Sequence, residues 1–152
     1  MEKLNLPLYN FRITRDKDNK VMIFDPLRKK DIPLTPEEWV RQNILKFLID
    51  DRGFPNSLIS VEAGLKINHF LRRYDALVYS RDKQPLMLIE CKAPGIQVNQ
   101  DTFDQITIYN QNFKALYLLV TNGLKHYCCK LDVNNKKYVF LENVPTYDQL
   151  TH

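Results

Sequence analysis

Two kinds of hydrophobic spacing alternate along this chain, and together they predict an α/β domain with a mixed central β-sheet flanked by helices. Val40, Ile44, Phe47 and Leu48 share one face of a helix over residues 35–50. Its start is written in Thr35-Pro36-Glu37-Glu38. Thr35 can cap, Pro36 suits the first helical position, and Glu38 completes a capping box. Gly53-Phe54-Pro55 ends it. Phe103, Ile106, Ile108, Tyr109 and Phe113 predict a second helix over 102–113.

Strand-like runs fill the space around these helices. Tyr9 to Thr14 and Val21 to Phe24 predict a hairpin across a polar turn at Asp16–Lys20, followed by a Pro- and charge-punctuated connector from Asp25 to Leu34. Leu58 to Glu62 and Arg73 to Tyr79 are two further strands, separated by a hairpin region around Gly64–Leu71. Pro85 to Cys91 is next, and its Leu86-Met87-Leu88-Ile89 reads as a strand covered on both faces. Ala115–Thr121 is another buried strand, and His126–Leu131 pairs with Tyr138–Leu141 around Asn134-Asn135. The expected organisation is one domain over 1–152, with a hairpin and connector in 1–34 and a core in 35–145.

Composition changes this picture little. The 152 residues are 44% hydrophobic and 26% charged, ordinary for a globular protein. The net charge of +4 is compatible with a polyanionic partner without demonstrating one. No apolar run follows the N-terminal charges as in a secretory signal, and the densest apolar stretch, Ala115–Val120, is too short to cross a bilayer. A cytoplasmic protein without membrane contact is the expectation. The three cysteines, Cys91, Cys128 and Cys129, lack disulfide or zinc-ligand spacing and read as small apolar residues within strands. His69, His126 and His152 have no ligand spacing and are assigned no chemistry.

The candidate chemistry lies where the apolar run Leu86–Ile89 turns into Glu90-Cys91-Lys92. Alternate strand side chains share a face, so Glu90 and Lys92 point one way and Cys91 the other. The preceding strand supplies Asp75, which adjacency of successive strands brings beside Glu90. Two carboxylates and a main-chain carbonyl suffice for a hard cation such as Mg²⁺, which keeps several waters. A nearby ammonium can orient water and offset charge developing on a phosphate. Taken alone, the same three residues more often describe a solvated ion pair at a strand end.

The run Asp75…Glu90-Cys91-Lys92 resembles the D…ExK signature of the PD-(D/E)xK nuclease superfamily. The wider pattern resembles the N-terminal nuclease-like domain of type I restriction enzyme R subunits. It comprises Thr35-Pro36-Glu37-Glu38-Trp39-Val40-Arg41-Gln42, Gly53-Phe54-Pro55, Arg73-Tyr74-Asp75, Glu90-Cys91-Lys92-Ala93-Pro94 and Gln105-Ile106-Thr107-Ile108-Tyr109. The resemblance implies a restriction-endonuclease-like fold and a Mg²⁺-dependent endodeoxyribonuclease, with Mn²⁺ as substitute. Asp75, Glu90 and the Cys91 carbonyl would hold the metal, and Lys92 would act on water. Gln105 and Tyr109 match a Q-x-x-x-Y element and share a helix face, where they would support the site or touch the DNA backbone. Glu37 lies in phase with Val40, Ile44 and Leu48 and is the helix carboxylate that would approach the metal, with Glu38 as alternative. Arg41, four residues on, can pair with Glu37. Arg72-Arg73, Lys125 and Lys136-Lys137 are candidate phosphate contacts, and Glu62 a strand-edge charge. Trp39 reads as a packing residue.

Tyr74 stands where the superfamily's name has Pro. No G-x-x-x-x-G-K-[ST] phosphate loop occurs in the sequence, so the resemblance reaches the nuclease module and not a translocating motor. DNA is the implied partner, with other restriction-system subunits or a second copy of the chain beside it. The alternative is a nuclease fold that binds nucleic acid or assembles without cutting. A third reading, hydrolysis of another phosphodiester such as RNA, has no base-stacking motif to favour it.

Overall fold

The computed structural model describes residues 1–61, 65–67, 70–72 and 74–151. Of the residues singled out above, Glu62, His69, Arg73 and His152 lie outside them. The architecture is the expected mixed α/β one. A six-stranded sheet has the order β11-β10-β9-β8-β7-β4, formed by β4 (Ile59–Val61), β7 (Ala76–Tyr79), β8 (Pro85–Cys91), β9 (Tyr117–Thr121), β10 (His126–Asp132) and β11 (Lys137–Leu141). The β8–β9 pair is parallel and every other pair in this sheet antiparallel. Strands β5 (Leu65–Ile67) and β6 (Phe70–Arg72) form the expected hairpin between β4 and β7.

Helix α1 (Pro36–Arg52) starts as the sequence predicts: the Thr35 side chain accepts from the Glu38 N–H at 3.0 Å, with Pro36 in the first turn. Glu38 departs from the capping box, because its carboxylate turns inward and accepts from Arg28, Arg41 and Gln42. Gly53 closes the helix at φ 69°, where the left-handed backbone favours glycine. Val40, Ile44 and Leu48 are fully buried against one face of the sheet, with Ala76, Met87, Ile89, Cys91 and Leu119. Each such aliphatic side chain contributes about 1.5–3 kcal/mol by leaving water.

Helix α2 (Gln100–Phe113) covers the opposite face, where Ile106 packs with Leu77, Leu88, Leu118 and Val120. It begins in a capping box formed by Asn99 and Thr102. The buried Asn110 fixes its other end. That side chain donates to the Ala115 carbonyl and to the Tyr138 hydroxyl, each at 2.9 Å, and accepts from the Ala115 N–H at 2.8 Å. Strand β8 is therefore covered on both sides, as its apolar run predicts.

The N-terminal hairpin exists as β1 (Ile13–Arg15) and β2 (Val21–Asp25), but the connector after it contains a third strand, β3 (Lys30–Pro33), pairing with β2. Lys30 and Asp31 are exposed, so pairing of this edge strand comes from the backbone and leaves no apolar alternation to read. A short helix α3 (Tyr147–Leu150), capped by Thr146, also carried no periodic signal. It plugs the α1 side of the core through Tyr147, which stacks edge-on against Phe54 at 5.6 Å. Trp39 packs edge-on against Phe11 at 5.4 Å, in line with its reading as a packing residue. The cysteines are free and buried in β8 and β10. No helix among the described residues is long and apolar enough to cross a membrane.

Candidate active site

The charged residues gather at one end of β7 and β8, where the first turns of α1 and the middle of α2 approach each other. A cleft of about 440 Å³ opens there, lined by Glu37 and Arg41 from α1, Asp75, Glu90 and Lys92 from the strand ends, and Gln105 and Tyr109 from α2. Tyr74, Thr102 and Ile106 complete its walls. Seven of the candidate site residues named from sequence thus share one cavity.

Asp75 sits immediately before β7 rather than within it, and its N–H donates to the Ile89 carbonyl at 3.1 Å. With Ala76 opposite Ile89 in the antiparallel register, Asp75 falls beside Glu90. Both carboxylate oxygens of Asp75 are engaged. Oδ1 accepts from Arg41, including Nε at 3.0 Å, and Oδ2 accepts from the Cys91 N–H at 2.6 Å. Glu90 and Lys92 share a face, with Nζ 3.3 Å from Oε1, while Cys91 points into the core on the other side. The Lys92 N–H donates to the Thr121 carbonyl at 2.8 Å, which carries the β8–β9 pairing one residue past the strand.

Burial, then the negative charge of Asp75, push the Glu90 carboxyl up to about 7, against the pull of Lys92. Burial and Asp75 also raise Glu37. Burial is the larger cause of both shifts, and the neighbouring Asp75 adds negative charge of the kind a divalent cation would offset. Among the described residues, no group of three or more His, Cys, Asp and Glu side chains is close enough to hold a metal ion. A hard cation here would therefore rest on Asp75, Glu90, main-chain oxygen and water, a donor set that suits Mg²⁺. Glu37, half exposed and 3.5 Å from Arg41, stands at the rim.

Behind the cleft runs a series of ion pairs between buried acids and partly buried arginines that the sequence reading missed. Asp25 Oδ2 accepts from Arg28 Nε at 2.5 Å, and Arg28 Nη2 reaches both oxygens of Glu38 at 3.2 Å. Glu38 also accepts from Arg41, which in turn holds Asp75. Arg41 therefore does more than pair with Glu37: it joins the buried acid of α1 to the acid of the strand end. The Asp25-Pro26-Leu27-Arg28 stretch does carry one legible signal. Asp25 Oδ1 accepts from the Leu27 N–H at 2.8 Å, an Asx-turn that the residue types suggest. The long-range partner of Arg28 has no such local mark.

A mixed sheet with a helix on each face and a carboxylate–lysine cleft at its strand ends defines a restriction-endonuclease-like α/β domain. The chain belongs to the family described as type I restriction enzyme R protein N terminus (HSDR_N), whose model matches residues 36–145. Among solved structures it is similar to a fragment described as an HsdR subunit of a type I restriction enzyme from Vibrio vulnificus YJ016. That likeness has a TM-score of 0.58 at 21% identity and covers 78% of this chain, which shows a common fold. This chain spans 25% of the other's length. No curated protein matches the sequence significantly.

Proposed function

We propose that this domain is a metal-dependent nuclease of the PD-(D/E)xK type that hydrolyses phosphodiester bonds in DNA. The observation that carries the reading is the meeting of Asp75, Glu90 and Lys92 in one cleft, joined there by Gln105 and Tyr109. Membership of the R-protein N-terminal family supports DNA as substrate and other restriction-system subunits as partners.

In this reading Asp75 Oδ2, Glu90 and the Cys91 carbonyl would hold Mg²⁺, with Mn²⁺ as substitute. The chemistry a bound cation supplies is polarisation of the phosphate and a more acidic water. Lys92 orients the attacking water and offsets charge on the phosphate, as a flexible point charge does well. Glu90 holds Lys92 in place at 3.3 Å. Gln105 and Tyr109, one turn apart on α2, form the wall along which the DNA backbone lies. Ile106, between them, faces the core and fixes that wall's orientation.

The test is direct. Purified chain is expected to cut DNA with Mg²⁺ or Mn²⁺ and not with EDTA, and both Lys92→Ala and Asp75→Asn are expected to abolish cutting. Cleavage that survives either change overturns the assignment. The alternative, a nuclease fold that binds without cutting, draws support from the engagement of both Asp75 oxygens by Arg41 and Cys91. DNA affinity without calorimetric Mn²⁺ binding or cleavage is the result that selects it.

A further inference from the structure

We infer that Arg28 is a positioning residue for this cleft: it fixes Glu38, which fixes Arg41, which fixes the Asp75 carboxylate. The N-terminal three-stranded sheet is thereby part of the site's machinery. The effect on turnover rests on the nuclease reading above; the geometry does not.

The charges alternate in sign from Asp25 through Arg28, Glu38 and Arg41 to Asp75. The three acids are all nearly or wholly buried. The series ends on the Cys91 N–H, which lies between Glu90 and Lys92 in sequence. Arg28 splits its donors between the two ends of its own contact, Nε to Asp25 and Nη2 to Glu38. A rigid guanidinium fork can do this, whereas a lysine ammonium is a single point charge. Asp25 is held in the turn by the N–H groups of Leu27 and Arg28, so the anchor is tied to backbone. Burial alone would raise the Asp25 carboxyl, yet its hydrogen bonds from Arg28 bring it below the ordinary value.

Removing the Arg28 charge leaves Glu38 with Arg41 and Gln42 as its remaining donors. A buried carboxylate that loses a partner draws harder on those left. Arg41 then moves toward Glu38, and its grip on Asp75 loosens. Arg28 touches neither Asp75 nor Cys91, and it precedes the residues, 36–145, that match the family. The ion pairs are the contacts that link Arg28 to Cys91.

The experiment uses the full chain and two readouts. In ¹H–¹⁵N spectra of the cation-free protein, Arg28→Met is expected to move the Cys91 amide and the Arg41 Nε–H signals. Those of Leu118 and Leu119, deep in β9, are expected to stay. In DNA cleavage, kcat is expected to fall about tenfold or more with KM unchanged, the scale on which outer partners of a site act. Arg28→Lys is expected to lie between the two proteins in both measurements. An unmoved Cys91 amide in folded Arg28→Met overturns the inference, as does unchanged kcat where the wild type cuts. If the wild type does not cut, the nuclease reading fails and the amide signals alone decide the positioning role. Should Arg28→Met not fold, Arg28→Lys and Asp25→Asn carry the same measurement, and an unmoved Cys91 amide in both overturns it.

Discussion

The molecule holds its charges in two arrangements a few side chains apart. Behind α1, Asp25, Arg28, Glu38 and Arg41 alternate acid and base, and each acid has a guanidinium against it. On the cleft side, Glu90 and Lys92 form a single contact at 3.3 Å, and Glu37 meets Arg41 only at the rim. Asp75 belongs to both. The difference is one of saturation. A closed set of buried pairs is costly to interrupt and gains nothing from an incoming ion, whereas the cleft side holds more negative charge than its own cations neutralise. The first arrangement holds a shape, and the second is the one that an incoming cation, as proposed above, would complete.

The sharpest way to break this contrast is to open the saturated set. Glu38→Ala takes the shared acid from two partly buried guanidinium groups, leaving Arg28 with Asp25 and Arg41 with Asp75, and a loss of about 3–5 kcal/mol is expected in urea unfolding, the usual cost of removing one member of a buried pair. A loss below about 1 kcal/mol, the range of exposed pairs, would mean the set is not saturated.

Glu90→Gln probes the other side, with a smaller effect of opposite sign. The native carboxyl takes up its proton near pH 7, against an ordinary value of 4.5. The native state thus binds more protons than the unfolded chain between these values, and stability falls as pH rises through that window. The substitution removes that loss, so the variant is expected to exceed the wild type by on the order of 2 kcal/mol at pH 8. It should gain almost nothing at pH 4. A gain that is equal at both pH values would show that the Glu90 carboxyl is not raised by its surroundings.

The smallest expected effect supplies the baseline. Lys46 and Asp50 form an exposed i,i+4 pair on α1 at 3.3 Å. Lys46→Ala is expected to change stability by no more than about 0.5 kcal/mol, and less in high salt. A larger change would mean that helix surface charge, not burial, governs the comparison.

The same contrast explains what was legible in the sequence. Asp75, Glu90 and Lys92 were readable because each follows from local rules: a core strand that ends in charge, period-two alternation and adjacency of neighbouring strands. Gln105 and Tyr109 were readable as a helix-face pair once the resemblance gave them meaning. Helix α1 announced itself through Thr35 and Pro36, yet the same rule misassigned Glu38 as a cap partner. Local propensity lost there to the pull of Arg28, from the turn before the helix, and of Arg41, one turn further along it. Arg28 was invisible for the same reason, since its partner stands ten residues on across a turn and a strand. The β3 strand was lost because its ladder needs only backbone, and Lys30, Asp31 and Pro33 carry no strand propensity.

The triple contact made by the Asn110 side chain has a kinetic consequence. It ties the end of α2 to the backbone leading into β9 and to Tyr138 on the neighbouring hairpin. The jaw bearing Gln105 and Tyr109 is therefore preset, and under the proposed nuclease reading a polymer sliding into the gap would meet a finished surface on that flank. Substitutions along this jaw should then register in how long a duplex stays, with arrival rates nearly untouched.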